Sequence, residues 1–213
     1  MHLPSARATS ENARRVPMAE IVLFHHAQGL TEGVLAFAAG LGRAGHRVHT
    51  PDLYDGRTFD ELEHGVAFAQ DVGLDAVVER GETAADAVPS GVVYAGFSLG
   101  VLPAQKLAQT RPGAVGALLF EACVPPEAFG SAWPGTVPVQ VHGMAADPFF
   151  AGEGDIDVAR ALVAGGPDRE LFLYEGSDHL FADSGLASYD AAAAELLTRR
   201  VLMFLDGLDG VEA

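Results

Sequence analysis

Three residues in chain order could together do nucleophilic acyl chemistry: the serine of Gly96-Phe97-Ser98-Leu99-Gly100, an aspartate at 147 and a histidine at 179. A serine hydroxyl is barely ionised at neutral pH. It becomes a nucleophile when an imidazole takes its proton, and the imidazole in turn needs a carboxylate to fix its tautomer and stabilise its cation. The apolar run Val92-Val93-Tyr94-Ala95 before the pentapeptide reads as a strand, and the segment after Gly100 is compatible with a helix. Glycines on both sides of such a turn let the chain hold the hydroxyl in a strained, exposed corner at the carboxyl edge of a sheet. The bland alternative is a glycine-flanked turn with a serine N-cap. The acid and the base decide between the two.

Both stand at strand ends. Val137-Pro138-Val139-Gln140-Val141 reads as a buried strand, and the turn His142-Gly143-Met144-Ala145-Ala146-Asp147-Pro148 carries the acid candidate, Asp147. Leu171-Phe172-Leu173-Tyr174 reads as another, and Glu175-Gly176-Ser177-Asp178-His179 delivers the base candidate, His179. Other acids and histidines have poorer addresses. Asp178 adjoins the base and reads as a turn-stabilising residue, and Asp155 and Asp157 as the N-cap and first-turn acid of a helix. His142, one residue past its strand, reads as structural; His46, His49 and His64 read as solvated or packed.

Glu20-Ile21-Val22-Leu23-Phe24 is the first strong strand, and His25-His26-Ala27-Gln28-Gly29 follows it. The backbone N–H of Ala27, with that of Leu99, is placed to hold the oxyanion of a tetrahedral intermediate, where losing one donor costs about 3 kcal/mol. His25 is expected to brace this loop, while His26 and Gln28 face the substrate. No metal is expected, because adjacent residues at a strand exit point to opposite faces and no further ligand set has suitable spacing.

The elements around these residues alternate strand and helix, which predicts an α/β fold with a mainly parallel sheet and helices on both faces. Val34, Leu35, Phe37, Ala38 and Leu41 recur at helical spacing and are expected to pack on the sheet, residues 47–50 read as a short strand, and 58–88 hold two crossover helices. The elbow helix runs to Gln109 and a strand covers 115–120. The irregular segment 121–136, with Phe129 and Trp133, reads as the pocket wall, Trp133 touching substrate; the alternative reading of its aromatics is as core plugs. A closing helix from Ser188 carries Leu197, Val201, Phe204, Leu205 and Leu208 as a core-facing stripe.

The 213 residues, 49% hydrophobic, suit one domain. A formal charge of −16 argues against nucleic-acid or anionic-membrane partners. No apolar stretch is long enough to span a bilayer and no secretory signal opens the chain, so a cytoplasmic location is expected. Cys123, the single cysteine, cannot form an internal disulfide and reads as a small buried residue. Residues 1–17 are polar and without periodicity; they read as a disordered extension, leaving 18–213 as the domain.

Taken together, Ile21 to Gly29, Pro51-Asp52-Leu53-Tyr54, the pentapeptide at Ser98, His142 to Asp147 and Asp178-His179-Leu180-Phe181 resemble the α/β-hydrolase fold and, within it, the dienelactone hydrolase family. The likeness runs over about 19–205. It implies a compact domain without a separate cap, no cofactor, and Ser98, Asp147 and His179 as nucleophile, acid and base acting on a small ester or lactone. Three positions depart from the family pattern. Its best-known members use a cysteine nucleophile where Ser98 stands, a glutamate near the oxyanion loop where His26 stands, and an arginine for the substrate carboxylate where Asp183 stands. A serine esterase mechanism is therefore expected, with Asp183 in the pocket repelling anionic substrates. The alternatives are acyl transfer or thioester cleavage, and a binding protein on a hydrolase scaffold.

Overall fold

In the computed structural model, residues 18–130 and 132–208 are described; the segment 1–17 lies outside them. The strands are β1 (Glu20–Phe24), β2 (Arg47–His49), β3 (Val93–Phe97), β4 (Gly116–Phe120), β5 (Val139–Met144) and β6 (Arg169–Tyr174). Among the described residues six α-helices connect or follow them: α1 (Glu32–Arg43), α2 (Leu62–Val72), α3 (Leu74–Asp86), α4 (Val101–Thr110), α5 (Asp155–Ala164) and α6 (Ala191–Gly207). The sheet is parallel throughout in the order β2-β1-β3-β4-β5-β6.

The central strands are apolar at nearly every position because both sheet faces are covered. Their period of two splits the side chains between two cores. Val22, Phe24, Tyr94, Leu119 and Val141 pack on one face with Val77, Ala104 and Leu162 of α3, α4 and α5. Ile21, Leu23, Ala95, Phe97 and Leu118 pack on the other with Leu41 of α1 and Leu197, Val201 and Leu205 of α6. Chain order reverses between β1 and β3, which are neighbours in register from Ile21↔Val93 to Phe24↔Gly96. Ligands of open parallel sheets bind outside the carboxyl ends of strands at such a switch point. The reversal sets the loop after β1 beside Ser98.

Several expectations are corrected. His142 lies inside β5, which runs on to Met144; a histidine and a glycine look like a turn in sequence, yet here both are buried. The ring is held between aromatic neighbours Phe120 and Phe172, and His142 also bonds the Tyr174 hydroxyl at 2.9 Å. Burial, helped by the nearby Arg200 charge, lowers its pKa to about 3, so it stays neutral. Asp155 is the first helical residue of α5, not its N-cap; Gly154 occupies that place with φ 101°. The closing helix starts at Ala191, capped by Asp190, whose Oδ1 accepts the N–H groups of Ala192 and Ala193. Leu35, read as core-facing, is 37% exposed. Among the described residues no helix is long and apolar enough to cross a membrane.

Candidate active site

The chain leaves β3 at Phe97 and turns at once into α4 through one 3-10 turn, Ser98–Gly100. Ser98 has φ 46°, a left-handed conformation unusual for a residue with a side chain. Such strain persists only where the surroundings enforce it. Here they do so by contact: a Cβ on Gly96 would lie 2.1 Å from the Gly100 carbonyl oxygen, and one on Gly100 would lie 2.4 Å from that of Phe24. The two glycines let strand, turn and helix approach this closely, and the Ser98 hydroxyl is left pointing out of the corner.

That hydroxyl donates to His179 Nε2 at 2.9 Å, and His179 Nδ1–H donates to Asp147 Oδ2 at 2.7 Å. Asp147 is fully buried after β5, and its other oxygen accepts the Phe149 N–H at 2.8 Å. The Phe149 ring lies against the imidazole, centroids 4.7 Å apart. Burial alone would lower the His179 pKa. The Asp147 hydrogen bond and the nearby acidic groups Glu121, Asp147 and Glu153 outweigh it and hold the imidazole above the usual histidine value. The His179 imidazole is oriented, paired and more basic than a free one.

Ala27 and Leu99 line the same cavity as Ser98 and His179. Among the described residues the Ala27 N–H donates to no backbone or side-chain acceptor. The Leu99 N–H belongs to the first turn of a helix, where backbone donors have no partner inside the helix. The loop carrying Ala27 is held from below by His25, whose Nδ1–H donates to the His26 carbonyl at 2.8 Å and whose Nε2 accepts the Leu53 N–H at 3.0 Å. Burial pulls the His25 pKa down to about 4, so this neutral tautomer persists at physiological pH.

The four residues expected to touch substrate are placed elsewhere. His26 is wholly buried: its Nδ1 accepts the Gln28 N–H at 3.2 Å and its Nε2–H donates to Asp183 Oδ2 at 2.8 Å. Asp183 is 1% exposed and also accepts from the Thr31 hydroxyl at 2.5 Å and the Gly185 N–H at 2.7 Å. The spacing from His179 does bring Asp183 close in space to the oxyanion loop, but its side chain turns inward to histidine. Gln28 spends its amide on the carbonyls of Phe59 and Asp60, each at 3.0 Å. Trp133 packs in the core, donates to the Val137 carbonyl and borders a different cavity with Arg169 and Leu162. His26 and Asp183 are paired with each other instead, and so tie the Ala27 loop to the His179 loop.

The cavity above Ser98, about 330 Å³, is walled instead by α2 and α3 residues, Phe149, and three acids: Glu121, Glu153 and Asp155. Glu121, the first residue after β4, was readable only as a carboxylate at the edge where a parallel sheet binds ligands. Its φ is 63°, and Oε1 accepts the Phe181 N–H at 2.9 Å, two residues beyond His179.

A family-model match to the dienelactone hydrolase family spans residues 4–208. The chain belongs to the dienelactone hydrolase family. As a member it is a hydrolase acting on ester bonds; the match begins inside the segment set aside as an extension. No curated protein matches the sequence. Solved structures resemble it in fold. A dienelactone hydrolase-like promiscuous phosphotriesterase from metagenomic libraries has TM-score 0.70 and 22% identity, over 92% of this chain and 89% of that one. Esterase 2 of Thermogutta terrifontis has TM-score 0.71 and 18% identity, over 92% and 85%. For this member of the family, the acid, base and nucleophile positions implied by the resemblance meet in one hydrogen-bonded chain, while the oxyanion-loop and arginine positions hold the buried His26–Asp183 pair.

Proposed function

We propose that the protein is a serine hydrolase that cleaves small carboxylic esters or lactones through an acyl-enzyme intermediate. The observation that carries this reading is the Ser98–His179–Asp147 chain at 2.9 and 2.7 Å, built on a strained serine. The Ser98 oxygen attacks the acyl carbon as its proton passes to His179 Nε2. Asp147 stabilises the imidazolium, and the N–H groups of Ala27 and Leu99 receive the negative carbonyl oxygen. Collapse of the tetrahedral species breaks the bond to the alcohol, which leaves with the proton from His179. Water, deprotonated by His179, then attacks the acyl carbon and restores Ser98.

The cavity's size fits a small substrate. Among the fold neighbours, the Thermogutta esterase 2 is described phosphonylated by cyclosarin and with propionate bound. A binding protein on this scaffold needs neither the strain at Ser98 nor an aligned base behind it.

The reading is tested by hydrolysis of p-nitrophenyl acetate across pH. The base must be neutral to take the proton, so kcat/KM is expected to rise with pH through the His179 pKa. Because that pKa is raised, the midpoint of the acid limb should lie above the ordinary histidine value of about 6.5. No turnover by folded protein overturns the assignment. A midpoint well below the ordinary value would show that Asp147 does not act on the imidazole.

A further inference from the structure

We propose that the cavity beside Ser98 selects esters carrying a positive charge, a primary ammonium a few carbons from the reacting carbonyl, and that Glu121, Glu153 and Asp155 form the wall that receives it. The proposal rests on Ser98 cleaving esters. It concerns which esters.

The cavity lining contains three carboxyl groups and no lysine or arginine; its other polar side chains are Gln70, Ser98 and His179. Asp155 by itself is accounted for as a first-turn acid of α5, with Oδ2 accepting the Cys123 N–H at 2.9 Å. Glu121 is accounted for only in part. It follows β4 and is 1% exposed; Oε1 accepts the Phe181 N–H and the Leu180 N–H also acts on the carboxyl group, but Oε2, equally buried, has no hydrogen-bond partner of its own. A buried carboxyl oxygen without a partner is costly unless a donor or a cation meets it. An ammonium group brings three donors and a charge of the required sign.

Electrostatics of the surroundings point the same way. Burial pushes the Glu121 pKa up to about 8 and raises that of Asp155, so both are held back from ionising by desolvation. The titratable groups acting on Glu121 are His179 and Asp147, and those acting on Asp155 are Glu153, His179 and Asp147; all but the imidazole are acids. A docked cation would offset the desolvation, draw the proton from Glu121 and lie among negative charge. An anionic substrate would meet the same wall with the opposite sign, and the chain's net charge of −16 opposes its approach. The discrimination expected from Asp183 thus falls to different residues.

Three ethyl esters of nearly equal size make the test at pH 7: β-alanine ethyl ester, ethyl butyrate and monoethyl succinate. Expected kcat/KM is about tenfold higher for the ammonium ester than for the neutral one and about tenfold lower for the carboxylate, since a wall of like charge can change encounter rates by 10-fold or more. Added salt should narrow the gap, and Glu153→Gln and Glu121→Gln should each shrink the ammonium preference; Glu121→Gln keeps an acceptor for Phe181. Turnover of all three at similar rates overturns the proposal while leaving ester hydrolysis standing. If no ester is turned over, the proposal is read from binding: calorimetric titration of Ser98→Ala with β-alanine ethyl ester and with monoethyl succinate. Tighter binding of the ammonium ester, with proton release seen in buffers of different ionisation enthalpy, supports it; equal or tighter binding of the succinate contradicts it.

Discussion

Ser98→Ala is expected to lower kcat/KM for a small neutral ester by at least about 10³-fold, a loss near 4 kcal/mol of transition-state stabilisation, with the fold unchanged. The hydroxyl's recorded hydrogen bond is to His179 Nε2, so alanine deletes the nucleophile and breaks no structural contact. His179→Ala should cost a similar amount, because a serine without its base is no longer a useful nucleophile. The double variant should be little worse than either single one, since members of a triad act as a unit. Additive losses would mean that the two residues serve separate steps, and the relay drawn from 2.9 and 2.7 Å contacts would be wrong.

Asp183→Arg is expected to damage stability rather than substrate choice. Removing a buried carboxylate shared by several donors leaves those donors unsatisfied at about 1–3 kcal/mol each, so a loss of about 3–5 kcal/mol is expected, a large part of the roughly 5–15 kcal/mol that holds a typical domain. Asp183 receives three donors, from His26, Thr31 and Gly185. Burial alone would raise its pKa, but these donors outweigh burial and leave it below the ordinary carboxylate value. Its contribution is therefore present at neutral pH and lost as pH falls through the depressed folded-state value. For a chain of this size the melting temperature of the variant should fall by roughly 6–20 °C, and His26→Ala should approach it. An unchanged melting temperature, with a new preference for anionic esters, would mean that Asp183 faces the cavity after all.

That Ser98, Asp147 and His179 would come together was legible in sequence because each has local signals: flanking glycines at Ser98, and strand-then-turn patterns before Asp147 and His179. The sheet was legible for the same reason, since a strand buried on both faces is a run of apolar residues. What sequence could not show was direction. Asp183 stands four residues after His179, and its address is right, but whether a side chain points to the cavity or to His26 depends on a partner 157 positions away. Trp133 shows the same limit: aromatic residues in an irregular segment serve as core or as wall alike, and its indole N–H found the Val137 carbonyl. Glu121 falls within the segment read as pocket wall, but a lone glutamate after a strand carries no local signal that it is buried. Its burial goes with the left-handed turn at its own backbone and the Phe181 N–H that its Oε1 accepts.

The central claim is that Ser98 is the nucleophile of a working triad, and covalent labelling tests it most directly. The protein is treated with a fluorophosphonate, digested, and the modified residue located by mass spectrometry, with His179→Ala run in parallel. The expected result is one adduct on Ser98 in the wild type, and strongly reduced labelling in the variant at equal folded content. An adduct on another residue, or none on folded wild-type protein, contradicts the account.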